Sequence, residues 1–281
     1  MLKQKRGFLY ILPGLLGLGI FFIAPFVASF RYIFYTGIAT PEFAGLGNFI
    51  ELTTNEAYRL ALRNTGIFIV IGVPLLTVSA LLVALFFRKS SLVRQTMLLP
   101  MIMPVASALL GWSAIFGPGG VVGWLVSALG GTAHNYFQEP FARWVMIFIF
   151  VVKNLGYMAV ILAGAIESIP KELEEAFALD CSSTVRYAFR IVVPLTAPVL
   201  FFVIILSTVN CFQIFREVYG LYGSMPPESL YMLQTFMSNN FARLNYNRLC
   251  TASFVVSLFI ALIVSVYLYV QRRTEKGRTG V

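Results

Sequence analysis

Few residues in this 281-residue chain could do covalent or metal chemistry. The only histidine is His134, and the only aspartate, Asp180, lies far from it in a polar loop, which leaves little for a serine–histidine–aspartate relay. Cys181, Cys211 and Cys250 are odd in number and form no CxxC pair, against a zinc site or a disulfide framework. No GxxxxGK[ST] stretch is present, so the chain has no P-loop of its own for ATP. The remaining candidates are polar side chains stranded in apolar runs. Lys153 and Asn154 stand near the middle of one run, with Tyr157 one turn after Lys153. Ser207, Thr208, Asn210 and Gln213 crowd into another. Such groups face a solute pathway or bond one helix to the next, and their types alone leave both readings open.

A second concentration of polar chemistry is acidic. Between Glu167 and Arg190 lie Glu167, Glu172, Glu174, Glu175 and Asp180 against Lys171, Arg186 and Arg190. Pro170 suits the first position of a helix, and acids in the first turns suit its dipole. Leu173, Ala176, Phe177 and Asp180 follow at helical spacing as one narrow stripe. Cys181-Ser182-Ser183 ends that helix, and either serine can cap a second one over 184–191. A negative loop is repelled by anionic lipid, so its stripe fits a protein groove with basic residues and an apolar floor.

The elements that position these residues are membrane helices. The chain is 58% apolar and 12% charged, whereas a soluble domain carries about 25% charge. That excess disfavours a soluble enzyme, a disordered chain, a coiled coil or a disulfide scaffold. Uncharged runs lie between Arg6 and Arg31, Arg63 and Arg88, Arg190 and Arg216, and Arg248 and Arg272. Each is long enough for one crossing helix of about 20 residues. A further span is read over 95–116, ended by Gly117-Pro118-Gly119-Gly120, and another over 144–166 around Lys153. The stretch 121–131 is too short to cross and is read as interfacial. The spans expected are thus about 8–30, 64–87, 95–116, 144–166, 191–215 and 249–271. Together they form an all-α membrane domain over 8–273, with a cytoplasmic loop at 167–190, a short N-terminus at 1–7 and a tail at 274–281. The first run is too long for a signal peptide and lacks a small-residue cleavage site, so it is read as a retained helix. The net charge of +9 gives no compact basic face for nucleic acid. Most of the 21 Lys and Arg fall in 1–6, 88–94, 167–190 and 272–281, which places both ends in the cytoplasm.

The run Ile169-Pro170-Lys171-Glu172-Leu173-Glu174-Glu175-Ala176-Phe177-Ala178-Leu179-Asp180-Cys181, then Ile191-Val192-Val193-Pro194, resembles the EAA loop of ABC-importer permeases. Glu175, Ala176, Ile191 and Pro194 match that pattern in register. Phe177, Cys181 and Val193 replace an alanine, a glycine and a leucine. If the turn needs a left-handed residue, Cys181 is strained there and Ser182 or Ser183 takes the position. Phe43-Ala44-Gly45-Leu46-Gly47-Asn48-Phe49, Ala61-Leu62-Arg63-Asn64-Thr65 and Leu12-Pro13-Gly14 are similar to segments of sugar permeases of the maltose- and glycerol-phosphate-importer kind. The resemblance implies a type I importer-like core and a carbohydrate solute. It implies a loop docked on a separate ATPase present in two copies, with ATP and Mg bound there and no cofactor or metal on this chain. It further implies a second, different permease subunit, making a heterodimer, and an extracytoplasmic solute-binding protein. In that frame Glu175 is a charged contact to the ATPase, Ala176 permits close approach, and Leu173 and Phe177 are apolar anchors. Lys153 then contacts solute or pairs with an acid on the partner permease.

Rival functions are a secondary transporter, an intramembrane enzyme and a membrane scaffold. The first needs a relay of intramembrane acids. None lies inside the six expected spans, with Glu217 only bordering the fifth. The second lacks GxGD, HExxH and serine–histidine motifs.

Overall fold

A computed structural model describes residues 2–37, 42–87, 90, 96–180 and 183–279. The described residues are almost wholly helical. Helix α1 runs from 2 to 34 as Leu2–Leu18, a π-helical turn Gly19–Ile23 and Ala24–Phe34. A two-residue antiparallel pair follows, β1 (Tyr35–Thr36) with β2 (Glu42–Phe43). Then come α2 (Gly47–Thr54), α3 (Glu56–Phe87), α4 (Leu99–Ile102), α5 (Val105–Phe116), α6 (Val121–Ala128), α7 (Ala142–Glu167) and α8 (Lys171–Asp180). Helix α9 covers Thr184–Tyr222 with a π-helical turn at Ala188–Val192 and an irregular residue at Ile214. A 3-10 turn (Glu228–Leu230), α10 (Leu233–Ala242) and α11 (Tyr246–Thr279) complete the chain.

Among the described residues, six segments are long and apolar enough to cross a membrane: Tyr10–Phe34, Glu56–Phe87, Val105–Ala128, Ala142–Glu167, Thr184–Tyr222 and Tyr246–Tyr269. Prolines shape several of them. The two π-helical turns lie directly ahead of Pro25 and Pro194. A proline ring displaces the carbonyl four residues back, here Phe21 and Arg190, and a widened turn absorbs that displacement. The third segment differs from the single helix expected over 95–116. Pro104 holds Met103 extended (ψ 132°), so α4 stops at Ile102 and α5 restarts at Val105. The short stretch read as interfacial forms α6, and it joins α5 in the third membrane-length segment.

The chain divides into two compact units. The first comprises 1–59 and 236–258. Within it, buried Asn48 donates from Nδ2 to the Ile33 carbonyl at 2.8 Å, and Asn247 donates to the Tyr32 carbonyl at 2.9 Å. Both satisfy carbonyls that the end of α1 leaves without helical partners. Phe30 and Phe49 pack edge-on against Phe254.

The second unit comprises 60–235 and 259–281 and holds the hydrophobic core. Helix α7 is its axis, with Met146, Ile149, Phe150, Met158, Leu162 and Ile166 fully buried. A helix apolar on every side belongs at the centre of a bundle. Gly156 makes one close crossing: a Cβ there would lie 1.8 Å from the Met97 carbonyl oxygen. Gly220 makes another, where a Cβ would meet Leu109 Cδ1 at 2.4 Å. By contrast, α1 leaves Phe21 and Phe22 more than two-thirds exposed, as suits a helix facing lipid or another subunit.

Candidate functional site

The acidic segment forms a helical elbow. Helix α7 ends at Glu167, and the chain turns with Ile169 donating to the Ile166 carbonyl at 3.1 Å. Pro170 precedes α8, and its carbonyl accepts from Leu173 N at 3.1 Å. Ser183 is the cap that starts α9, its hydroxyl accepting from Arg186 N at 3.4 Å. Leu173, Glu175 and Ala176 are exposed on α8. Phe177 is half-buried: it lies 5.6 Å from the Tyr187 ring and, as Ile169 and Ile191 do, packs against the core. Phe177, expected as an apolar anchor, also fastens the elbow to its own bundle through this ring contact. Leu179, which helical spacing alone did not single out, is 90% exposed. Ile191 sits half-buried in the π-helical turn, and Pro194 opens the α-helical stretch after it. Asp180 ends α8, while Cys181 lies outside the described residues. A groove beneath the elbow is lined by Ile166, Ile169, Lys171, Glu174, Glu175 and Ala178, among others.

The polar residues of α7 and α9 divide into two sets. Asn154, buried in α7, donates to the Phe150 carbonyl at 2.8 Å and accepts from Asn210 Nδ2 at 3.1 Å. Gln213 donates to Asn210 Oδ1 at 3.3 Å and is itself exposed. A polar ladder thus leads from the core to an open face, and its middle rung bonds α7 to α9. Ser207 is fully buried, Thr208 Oγ1 donates to the Ile204 carbonyl at 2.8 Å, and Tyr157 is half-buried against the core. The second set is an ion pair. Lys153 Nζ donates to Glu217 Oε1, and Glu217 is 2% exposed. This corrects two expectations. An acid does lie inside the fifth membrane-length segment, because α9 continues through Arg216 to Tyr222. Lys153 finds its acid on its own chain, with no need of a partner subunit.

A third cluster escaped sequence reasoning. Arg143 Nη2 donates to Asn64 Oδ1 at 2.8 Å and to the Ser229 carbonyl at 3.2 Å. Asn64 Nδ2 donates to the carbonyls of Glu228 (2.6 Å) and Tyr231 (3.1 Å), and Thr65 Oγ1 accepts from Leu233 N at 3.0 Å. The cluster pins segment 228–233 to the starts of α3 and α7. Most of its partners are main-chain atoms far away in sequence, which leave no pattern to read.

Among the described residues, six membrane-length helical segments and an acidic helical elbow between the fourth and fifth define a multi-pass helical membrane protein. The profile of the family described as the binding-protein-dependent transport system inner membrane component matches residues 64–279, and the chain belongs to that family. The lactose transport system permease protein LacF of Rhizobium radiobacter is 28% identical, over 96% of this chain and 95% of its own length. The sn-glycerol-3-phosphate transport system permease protein UgpA of Yersinia pestis is 30% identical, over 95% of each. Among solved structures, a bacterial ABC transporter involved in import of the acidic polysaccharide alginate superposes with a TM-score of 0.83 at 19% identity, covering 96% of both chains. The fold is that of a type I importer permease. The protein is a multi-pass permease subunit of the cytoplasmic membrane and not an enzyme.

Proposed function

We propose that this chain is the transmembrane subunit of an ATP-driven importer that moves a carbohydrate, or a related solute, by alternating access. Both termini lie in the cytoplasm. The elbow around Glu175 docks on a separate ATPase, present in two copies, which binds ATP and Mg. A second, different permease completes the pathway, and an extracytoplasmic binding protein delivers solute.

The observation that carries this reading is the outward face of α8. Glu175, Ala176 and Leu179 form one exposed arc of a helix whose other side, where Leu173 stands one turn before Phe177, is fastened by Phe177 and Tyr187. Two apolar side chains beside a carboxylate match an apolar groove with a basic rim, and the family membership supplies a protein to provide it. ATP affects transport only if its binding differs between inward-facing and outward-facing states. A fastened elbow carries that difference into α7 and α9, whose ends it joins. The polar ladder Asn154–Asn210–Gln213 offers hydroxyl-binding groups to a solute on the open face of α9.

The test is Glu175→Lys in the reconstituted complex. The variant should insert and assemble, hydrolyse ATP, and lose solute uptake by about tenfold or more, the equivalent of one reversed charge-assisted contact. Unchanged uptake would refute the docking role.

A further inference from the structure

Helix α2 turns an apolar face outward, and we propose that this face lies in the lipid–water boundary of the membrane as an interfacial foot. Such a foot depends on the chain's place in the membrane, not on the solute carried.

Depth is the first ground. Helix α2 lies between the end of the first membrane-length segment, Phe34, and the start of the second, Glu56. Its contacts hold it beside the spans, not above them. Asn48, on its inner side, donates to the Ile33 carbonyl at 2.8 Å, and Ala44 N donates to the Phe34 carbonyl at 2.8 Å. Phe49 packs 6.2 Å from Phe34 and 6.2 Å from Phe254. Arg248 is the last charge before the sixth apolar run. At 1.5 Å for each residue from 248 to 254, Phe254 stands about 9 Å further along that helix. Interfacial helices bury their apolar face at this level, about 5–10 Å into the boundary of head groups and acyl chains. Tyr32 and Tyr246, with rings 5.5 Å apart, stand at the ends of the first and sixth spans, the level that tyrosines favour.

Chemistry is the second. Leu46, Ile50 and Thr53 share one face at helical spacing, and Leu46 and Ile50 are 66% and 64% exposed. The threonine hydroxyls are already bonded to the helix's own backbone. Thr53 Oγ1 donates to the Ile50 carbonyl at 2.9 Å, and Thr54 Oγ1 to the Glu51 carbonyl at 3.0 Å. Glu51 is the one charged residue of α2, and it accepts from Arg248 Nη2 at 2.7 Å and Nε at 2.9 Å. Phe43, just ahead of α2, adds a further exposed ring. The exposed charges to either side cancel, Arg31 and Arg59 against Glu42 and Glu56. Apolar burial therefore drives the contact, with no demand for anionic lipid. A protein that docked and left would return Leu46 and Ile50 to water at each release, whereas lipid covers them throughout.

The experiment places a nitroxide label at Leu46→Cys or Ile50→Cys, with Cys181, Cys211 and Cys250 replaced by serine. The full chain, with the subunits that purify with it, is reconstituted in vesicles of phosphatidylcholine, with and without phosphatidylglycerol. Both labels should collide with oxygen in preference to a water-soluble nickel chelate, at a depth of about 5–10 Å below the phosphates, in either vesicle. Free collision with the nickel chelate would overturn the foot. So would protection from both quenchers, which marks a protein cover, or insertion only where phosphatidylglycerol is present. A second measurement needs no substitution. Phosphatidylcholine carrying a diazirine near the top of its acyl chain should label segment 43–54 of the native chain. No label there, with the spans themselves labelled, would overturn the foot independently of the cysteine variants.

Discussion

A lysine near the middle of a membrane helix is costly unless something meets its charge. In α7 that something is Glu217, 64 residues further along the chain. Removing one partner leaves the other buried and alone, which costs about 3 kcal/mol, whereas removing both relieves most of that loss. Lys153→Met and Glu217→Leu should therefore each lower the melting temperature of the detergent-purified protein, and the double variant should recover most of the drop. A double variant no more stable than the worse single one would mean the two charges are not coupled. Lys153 was legible in the sequence as a stranded charge. Its partner was not, because the first charge after an apolar run, Arg216, marked the end of the span. Adjacent helical residues point about 100° apart, so Arg216 stays exposed while Glu217 turns inward. A run-length criterion cannot distinguish them.

At the scale of elements, local chemistry announced the elbow and hid the crossings. Pro170 and Ser183 mark a helix start and a cap by their own covalent structure, and both stand where those rules place them. Nothing in the neighbourhood of Gly156 says that the Met97 main chain will pass over it, because that partner comes from another segment. Gly156→Val should force that backbone aside and destabilise the protein by about 2–3 kcal/mol, the upper range for overpacking. Gly164, with nothing within 4 Å of a Cβ, supplies the contrast. Gly164→Ala should leave the melting temperature unchanged or slightly raised through helix propensity. Equal losses at the two sites would contradict the close crossing. The π-helical turns ahead of Pro25 and Pro194 belong to the same class of hidden detail. A proline signals a disturbed helix, but not whether it will kink, break or widen. At Pro104 the same residue type ends α4 outright.

For the whole molecule, composition already demanded a membrane, and the six apolar segments follow from helix length against bilayer thickness. The functional direction of the molecule rests on its asymmetry. One end of α7 and the start of α9 meet in an acidic elbow, while the other end of α7 is pinned by Arg143 and Asn64 to segment 228–233. A bundle fastened at one end and gripped at the other can transmit a movement of the elbow through α7 to the Lys153–Glu217 pair. The central claim is therefore that a nucleotide-binding polypeptide holds the elbow. The most direct measurement places a short thiol crosslinker at Ala176→Cys, with Cys181, Cys211 and Cys250 replaced by serine, in intact membranes. A crosslinked product joining this chain to an ATP-binding subunit, its yield changing with nucleotide, is the expected result. Reaction of that cysteine with a membrane-impermeant reagent from the outer face, or no product with any ATPase, would contradict it.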